Sequence, residues 1–421
     1  MKFEVTRLDN GLEVVAEVNS QALTSSFGYF VKTGARDETP ELSGVSHFLE
    51  HMLFKGTDSR TADQLNRELD DIGSQANAYT SEEQTVYYAS VLPEFQERTV
   101  DVLTDMMRPS LRDDDFEVER KVILEEIAMY DDQPPYGAME LVTEAYFGDH
   151  PLAGRVLGTA QSVTDLARAA MRDYHARRYA PNNLALVATG NVDYERLVDQ
   201  ATRLTDGWEM GDGKRKLSSP TINASTSLVV HPPAAQQYTL AIAPGPNRLD
   251  ERRYAARILA SVLGDEGGSR LFWKLVDTGL AESAALFPQA FQDCGIMGTF
   301  LACAPDETVD NWQLLQAVIR ESVDDSITSH EIDRAKNKIC STLVMSAERP
   351  GSRLFSVGNA WTLRGQYERP SEIVHHYASV KAEEIERLLL DWLEAPQVIM
   401  SVGPSENETL KSVLEQTHSA S

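Results

Sequence analysis

The segment Ser43–Thr57, SGVSHFLEHMLFKGT, puts two histidines and a glutamate within five residues of a stretch with helical apolar recurrence. On an α-helix, positions i and i+4 share a face. His47 and His51 are four apart, so their imidazoles point the same way and could hold one Zn²⁺. Glu50, three after His47, lies on nearly the same face and could reach a water bound to that ion. Val45, Phe48, Leu49 and Met52 would pack behind, and Gly56 supplies a stop just past the helix. The competing reading is two ordinary histidines, partly buried at the edge of a packed helix. The pentapeptide HxxEH does not decide between the two. A catalytic zinc also wants a third protein ligand, which this segment cannot supply.

A candidate third ligand lies in DDDFEVERKVILEEIAMY. Glu119 and Glu126 are seven apart, two helical turns, and share a stripe with Ile123 and Ile127. That stripe turns inward. Glu125 instead follows Lys121 at i+4, on a solvated flank. Carboxylates on a buried stripe are costly unless paired or bound to metal, which singles out Glu126 with Glu119 beside it. Taken alone, the same helix also accommodates two edge glutamates whose stems lie along the core while their heads reach water.

The elements that must position these side chains recur. The strand in FGYFVKTGARDE ends at Gly34, and that in YTLAIAPGPNRLDE ends at Gly245, an offset of 211. NLALVATGNVD and QVIMSVGPSEN close on Gly190 and Gly403, an offset of 213. Two landmarks in the same order at nearly equal offsets indicate a duplicated domain. The expected domains are residues 1–210 and 211–421, joined through Asp206–Pro220, rich in Gly, Ser and charge. LEVVAEV, SFGYFVKTG, QTVYYASVL and LALVATGNV read as strands; ADQLNRELDDIG, EFQERTVDVLTDMM and FEVERKVILEEIAMY read as helices. This alternation gives an α+β or mixed α/β class, a sheet covered by helices. In the second copy the positions of His47, Glu50 and His51 become Ile258, Ser261 and Val262, so one metal per chain is expected, in the first domain.

The totals bound the function. With 421 residues the chain exceeds one ordinary domain, and 25% charged residues fit a soluble globular protein. A formal charge of −26 argues against a nucleic-acid or anionic-membrane partner. No segment has the apolar length of a membrane span, and the N-terminal stretch lacks a secretory pattern. Three cysteines without ligand spacing, Cys294, Cys303 and Cys340, suggest reduced thiols and a cytoplasmic setting.

HFLEHMLFKGT, followed 75 positions after His51 by the last glutamate of ERKVILEE, resembles the inverzincin zinc peptidases of the pitrilysin/insulinase family. NAYTSEEQTVYYASVLPE, YAPNNLALVATGNVD and GGSRLF extend the resemblance over most of the chain. The resemblance implies two homologous domains, each a mostly antiparallel sheet covered by helices, as in the short bacterial branch whose chains pair into a clamshell. It implies His47, His51 and Glu126 as ligands of one Zn²⁺, and Glu50 as the general base on the zinc-bound water. Glu119 would support the site from behind. Asn77 and Ala78, on an edge strand, would pair with the backbone of a peptide substrate by β-augmentation. The implied activity is a metalloendopeptidase of peptides or unfolded segments, acting as a homodimer, or as a heterodimer with a homologous subunit.

One departure stands out. Active relatives carry an Arg and, seven residues on, a Tyr after SRLF; here the segment WKLVDTGLAES has Val276 and Glu282 about there. Arg270 is a candidate substitute, against the plainer role of a surface or capping arginine. The departure keeps open a second reading, a weakly active or non-catalytic partner subunit that binds substrate. The remaining histidines are assigned no chemistry. The aromatics of ERPGSRLFSVGNAW have core spacing. VLGDEGGSRLF lacks the Gly-Lys-Ser/Thr ending of a phosphate loop.

Overall fold

The computed structural model describes residues 1–131 and 133–419 and contains helices and two sheets. The first sheet holds β1 (Lys2–Arg7), β2 (Glu13–Val18), β3 (Ser25–Val31), β4 (Gln75–Thr80), β5 (Thr85–Val91) and β6 (Leu184–Gly190). Its order is β1-β2-β6-β3-β5-β4, antiparallel except for β2 against β6. The second holds β7 (Ser225–Val230), β8 (Gln237–Gly245), β9 (Ser283–Ala290), β10 (Gly295–Cys303) and β11 (Val398–Gly403). Its order is β7-β11-β8-β10-β9, antiparallel except for β7 against β11. The order β2-β6-β3-β5-β4 is thus repeated, with the parallel pair in the same place. The fold is α+β with two homologous, mostly antiparallel sheets, each covered by helices.

The chain forms two compact units: residues 1–128, 154–216 and 345–368, and residues 129–153, 217–344 and 369–421. They differ from the contiguous halves 1–210 and 211–421 by an exchange of two helical segments. Helix Pro350–Arg364 lies on β3 and β6 of the first sheet, and helix Pro134–Phe147 lies on β8 and β11 of the second. The physical reason is in the strands. Every residue of β3 and β6 is buried, so both sheet faces need cover. Phe27, Tyr29 and Leu186 pack with the helix of the HxxEH segment, while Phe30, Ala185 and Val187 pack with Leu354 and Val357. A buried ion pair fixes that second cover. Arg353 Nε donates to Glu17 Oε1 at 2.8 Å, and the Tyr367 hydroxyl reaches Glu17 Oε2 at 2.7 Å. Because hydrophobic periodicity marks which residues are buried but not what buries them, the exchange is invisible in the sequence.

Residues 208–224 carry no helix or strand, in line with the expected linker. They are nevertheless tied down. Arg215 grips Asp37 with Nε at 2.9 Å and Nη2 at 2.5 Å, and donates to the carbonyl of Glu83 at 2.5 Å.

Candidate metal centre

The HxxEH helix runs Val45–Leu53. It begins where Gly44 takes φ +89°, and a Cβ there would sit 2.5 Å from the carbonyl oxygen of Leu157, so glycine is required. The helix has no capping side chain of its own at that position. Instead Glu38 reaches in, accepting the N–H of Gly44 at 2.6 Å and of Ser46 at 2.7 Å. Two of the orphan donors of the helix start are satisfied this way. Val45, Phe48, Leu49 and Met52 are buried in the core, which leaves His47, Glu50 and His51 on the other side.

The helix Asp113–Asp131 supplies the carboxylates. Phe116, Ile123 and Ile127 are buried, and Phe116 stacks on Phe48 with centroids 4.7 Å apart and planes 4° from parallel, pinning the two helices together. Glu119 is buried, Glu126 half-buried and Glu125 exposed. The structure brings His47, His51 and Glu126 together, with one ligand atom from each lying within 4.8 Å of the others. Glu126 Oε2 is 3.8 Å from His47 Nε2 and 3.7 Å from His51 Nε2. Zinc–ligand bonds of about 2.0–2.2 Å at tetrahedral angles give ligand–ligand edges of roughly 3.4 Å. The two Glu126–imidazole distances stand within a few tenths of an ångström of that, and all three donors lie within 4.8 Å of one another, so these residues fit a zinc ion. Among the described residues no other cluster of His, Cys, Asp or Glu has such geometry.

The neighbours orient these groups. Glu119 Oε1 lies 2.8 Å from His51 Nδ1, which therefore carries the proton and donates, leaving Nε2 free toward Glu126. Lys55 Nζ, at 2.6 Å, balances the Glu119 charge. Burial, with a smaller push from His51, pulls the His47 imidazole down to about 4, so it is a neutral donor at physiological pH. Burial also pulls on His51, but the hydrogen bond and charge of Glu119, with Glu126 and Glu50, outweigh it and raise its pKa. For Glu119 burial is outweighed by His51 and Lys55, and the pKa is lowered. Burial raises Glu50, against the opposing pull of the Thr80 hydroxyl, which donates to Oε2 at 2.6 Å.

Thr80 and Lys55 were not legible as partners in the sequence, although each left a trace. Thr80 is two residues beyond Ala78 on one strand, and Lys55 follows His51 by four. Asn77 and Ala78 lie on β4, the edge of the first sheet, with Asn77 exposed and Ala78 half-buried on the face of the HxxEH helix. Arg270 is held elsewhere: it forms a two-pronged pair with Glu331 at 2.7 and 2.9 Å and donates to Ser322 at 3.0 Å. Val276 ends a π-helical turn, and Glu282 accepts a hydrogen bond from Gln236 at 2.9 Å. Ile258 and Val262 are core residues of the second unit.

The family model for insulinase, peptidase family M16, matches residues 13–160, and that for the peptidase M16 inactive domain matches residues 165–339. An uncharacterized zinc protease of Mycobacterium tuberculosis is 34% identical over 406 residues, covering 95% of this chain and 92% of that protein. Another, from Streptomyces coelicolor, is 31% identical over 414 residues, covering 96% and 90%. Among solved structures, a protease from Helicobacter pylori superimposes with a TM-score of 0.88 at 19% identity, covering 96% of this chain and 99% of that one. At that identity the likeness speaks for the fold. A chain of this two-sheet architecture, with relatives named as zinc proteases along nearly its whole length, belongs with the proteases. It is a member of the insulinase family, peptidase family M16.

Proposed function

We propose that the chain is a zinc-dependent metalloendopeptidase that hydrolyses peptide bonds in peptides or unfolded segments. The observation that carries this reading is the convergence of His47, His51 and Glu126 within 4.8 Å, with Glu50 on the same helix face. His47, His51 and Glu126 would hold one zinc per chain. A zinc ion bound there supplies Lewis acidity for the scissile carbonyl and makes water a better nucleophile near neutral pH.

The chain's own residues do the rest. Glu50 takes the proton of the attacking water and returns it to the leaving amine; its burial-raised pKa brings it nearer the working pH, as a general base requires. Thr80 aims the Glu50 carboxylate by holding one oxygen. Glu119 fixes the ring of His51, and Lys55 keeps Glu119 ionised. β4, including Asn77 and Ala78, presents backbone groups with no strand neighbour on its outer edge among the described residues, and an extended peptide adds there as a further strand. The sparse, odd number of cysteines supports a cytoplasmic setting, and the family resemblance supports a homodimer.

The test is Glu50→Gln. Zinc content by mass spectrometry should match wild type, while peptide hydrolysis falls by about 10²–10⁴-fold, the usual contribution of a general base. Wild-type cleavage by the variant would refute the assignment. A second reading, a substrate-binding subunit of a heterodimeric peptidase, is favoured by Val276 and Glu282 at the Arg/Tyr positions and by the commitment of Arg270 to Glu331. Native mass measurement of the purified chain, beside its activity alone, separates the two.

A further inference from the structure

A strand's side chains alternate between the faces of its sheet, and a peptide added beside β4 would continue that alternation. Ala78 and Thr80 point to the face that carries the HxxEH helix, with Thr80 on Glu50. Gln75 and Asn77 point to the opposite face. Their cross-strand partners Ser90 and Tyr88 share it, and Ser26 continues it from β3. Helix Pro350–Arg364 covers that face, and its first turn lines an open groove of about 1010 Å³ together with residues of β4 and β5.

Small residues line the groove beneath the helix. The hydroxyls of Ser26 and Ser90 are 2.7 Å apart, and Gly351 lies over them. A Cβ on Gly351 would meet Ser90 Oγ at 3.4 Å and Ser26 Oγ at 3.8 Å. An alanine there is sterically allowed, and a longer side chain would intrude on the groove beside the two hydroxyls. One wall is apolar and aromatic, where Tyr88 and Phe355 meet edge to face at 4.8 Å with Leu92 beside them in the lining, and Gln21, Glu348 and Arg349 add polar and charged groups elsewhere on the rim. Gln75 and Asn77 bring the edge of β4 directly into the lining, so a peptide strand on that edge and the groove are continuous.

We propose that this groove is a specificity subsite that takes a bulky apolar side chain of an extended peptide lying along β4. The proposal rests on the peptide-cleaving reading above. Strand geometry fixes which side chains qualify. They are those opposite Gln75 and Asn77, of the same parity, three to five residues from the Thr80 end. At about 3.3 Å per residue this is roughly 10–17 Å along the strand. Residues of the other parity face the HxxEH helix and do not enter the groove. Substrate preference therefore arises at alternate positions away from the cleaved bond, and the nearly sequence-blind backbone pairing does not set it.

The experiment uses the full chain carrying Glu50→Gln, with fluorescein-labelled peptides read by anisotropy. A parallel hydrolysis assay uses the chain with Glu50 intact. The peptides form a series in which one phenylalanine is moved through an otherwise Gly/Ala/Ser sequence. Tighter binding is expected at alternate phenylalanine positions. Gly351→Leu, which intrudes on the groove, should reduce that preference by about tenfold or more while binding of the phenylalanine-free peptide stays unchanged. Phe355→Ala, which removes a wall, should weaken the same preference. Equal loss for all peptides in both variants, or an unchanged phenylalanine preference in both, would overturn the proposal. If the chain with Glu50 cleaves no peptide, the peptidase reading fails, yet the anisotropy series still decides the groove.

Discussion

At the scale of single residues, the metal centre divides labour between donors and holders. His51 presents Nε2 when its proton sits on Nδ1, and Glu119, accepting from Nδ1 at 2.8 Å, holds that tautomer. Replacing Glu119 with Gln keeps the shape but removes the charge that makes the ring a strong donor. Zinc affinity measured by chelator competition should fall about 10–100-fold, the usual consequence of losing such a partner. A second residue-scale expectation concerns His175, stacked on Tyr179 at 4.7 Å with Nε2–H donating to the carbonyl of Met107 at 3.1 Å. Burial, with the nearby Arg108, pushes its pKa down to about 3. Between that value and the ordinary 6.5 the unfolded chain binds a proton that the folded chain refuses, so stability rises with pH across the window. Urea midpoints should therefore drop as pH falls from about 6.5 toward 3, and His175→Gln should flatten that dependence.

At the scale of elements, the HxxEH helix is short, nine residues, and starts without a cap of its own. Its register depends on Glu38, whose two oxygens take the N–H groups of Gly44 and Ser46 immediately before His47. Glu38→Ala should cost about 1–2 kcal/mol in urea unfolding, as losing an N-cap does. It should also weaken zinc binding, because the first turn carries His47, a proposed ligand. The linker enters at the same point. Arg215 clamps Asp37, the neighbour of Glu38, so the chain leaving the first unit also braces the loop that caps the HxxEH helix.

For the whole molecule, the exchange of covering helices ties the later part of the chain to the first sheet. Glu17 and Arg353 are separated by more than three hundred residues and are both buried. Arg353→Met would leave Glu17 buried without its cation, and a loss of about 3–5 kcal/mol is expected in denaturant unfolding. The double change Glu17→Leu with Arg353→Met should recover much of that loss, since an apolar pair replaces the ion pair without leaving a lone charge. No recovery would mean that Arg353 acts chiefly through its packing.

The sequence by itself determined what depends on local spacing. The i, i+4 rule put His47 and His51 on one helix face, the seven-residue interval put Glu119 and Glu126 on one stripe, and repeated strand–glycine landmarks exposed the duplication. These are properties of a few neighbouring residues and survive without knowledge of the rest. Tertiary structure alone decided which separate elements meet. It set the distances from Glu126 to the two imidazoles, gave Thr80 to Glu50 and Lys55 to Glu119, tied Arg270 to Glu331, and sent each covering helix to the other sheet. Periodicity tells a side chain which way to face, but every apolar face is equally ready to be covered by any other. Only the packing of the complete chain selects the partner.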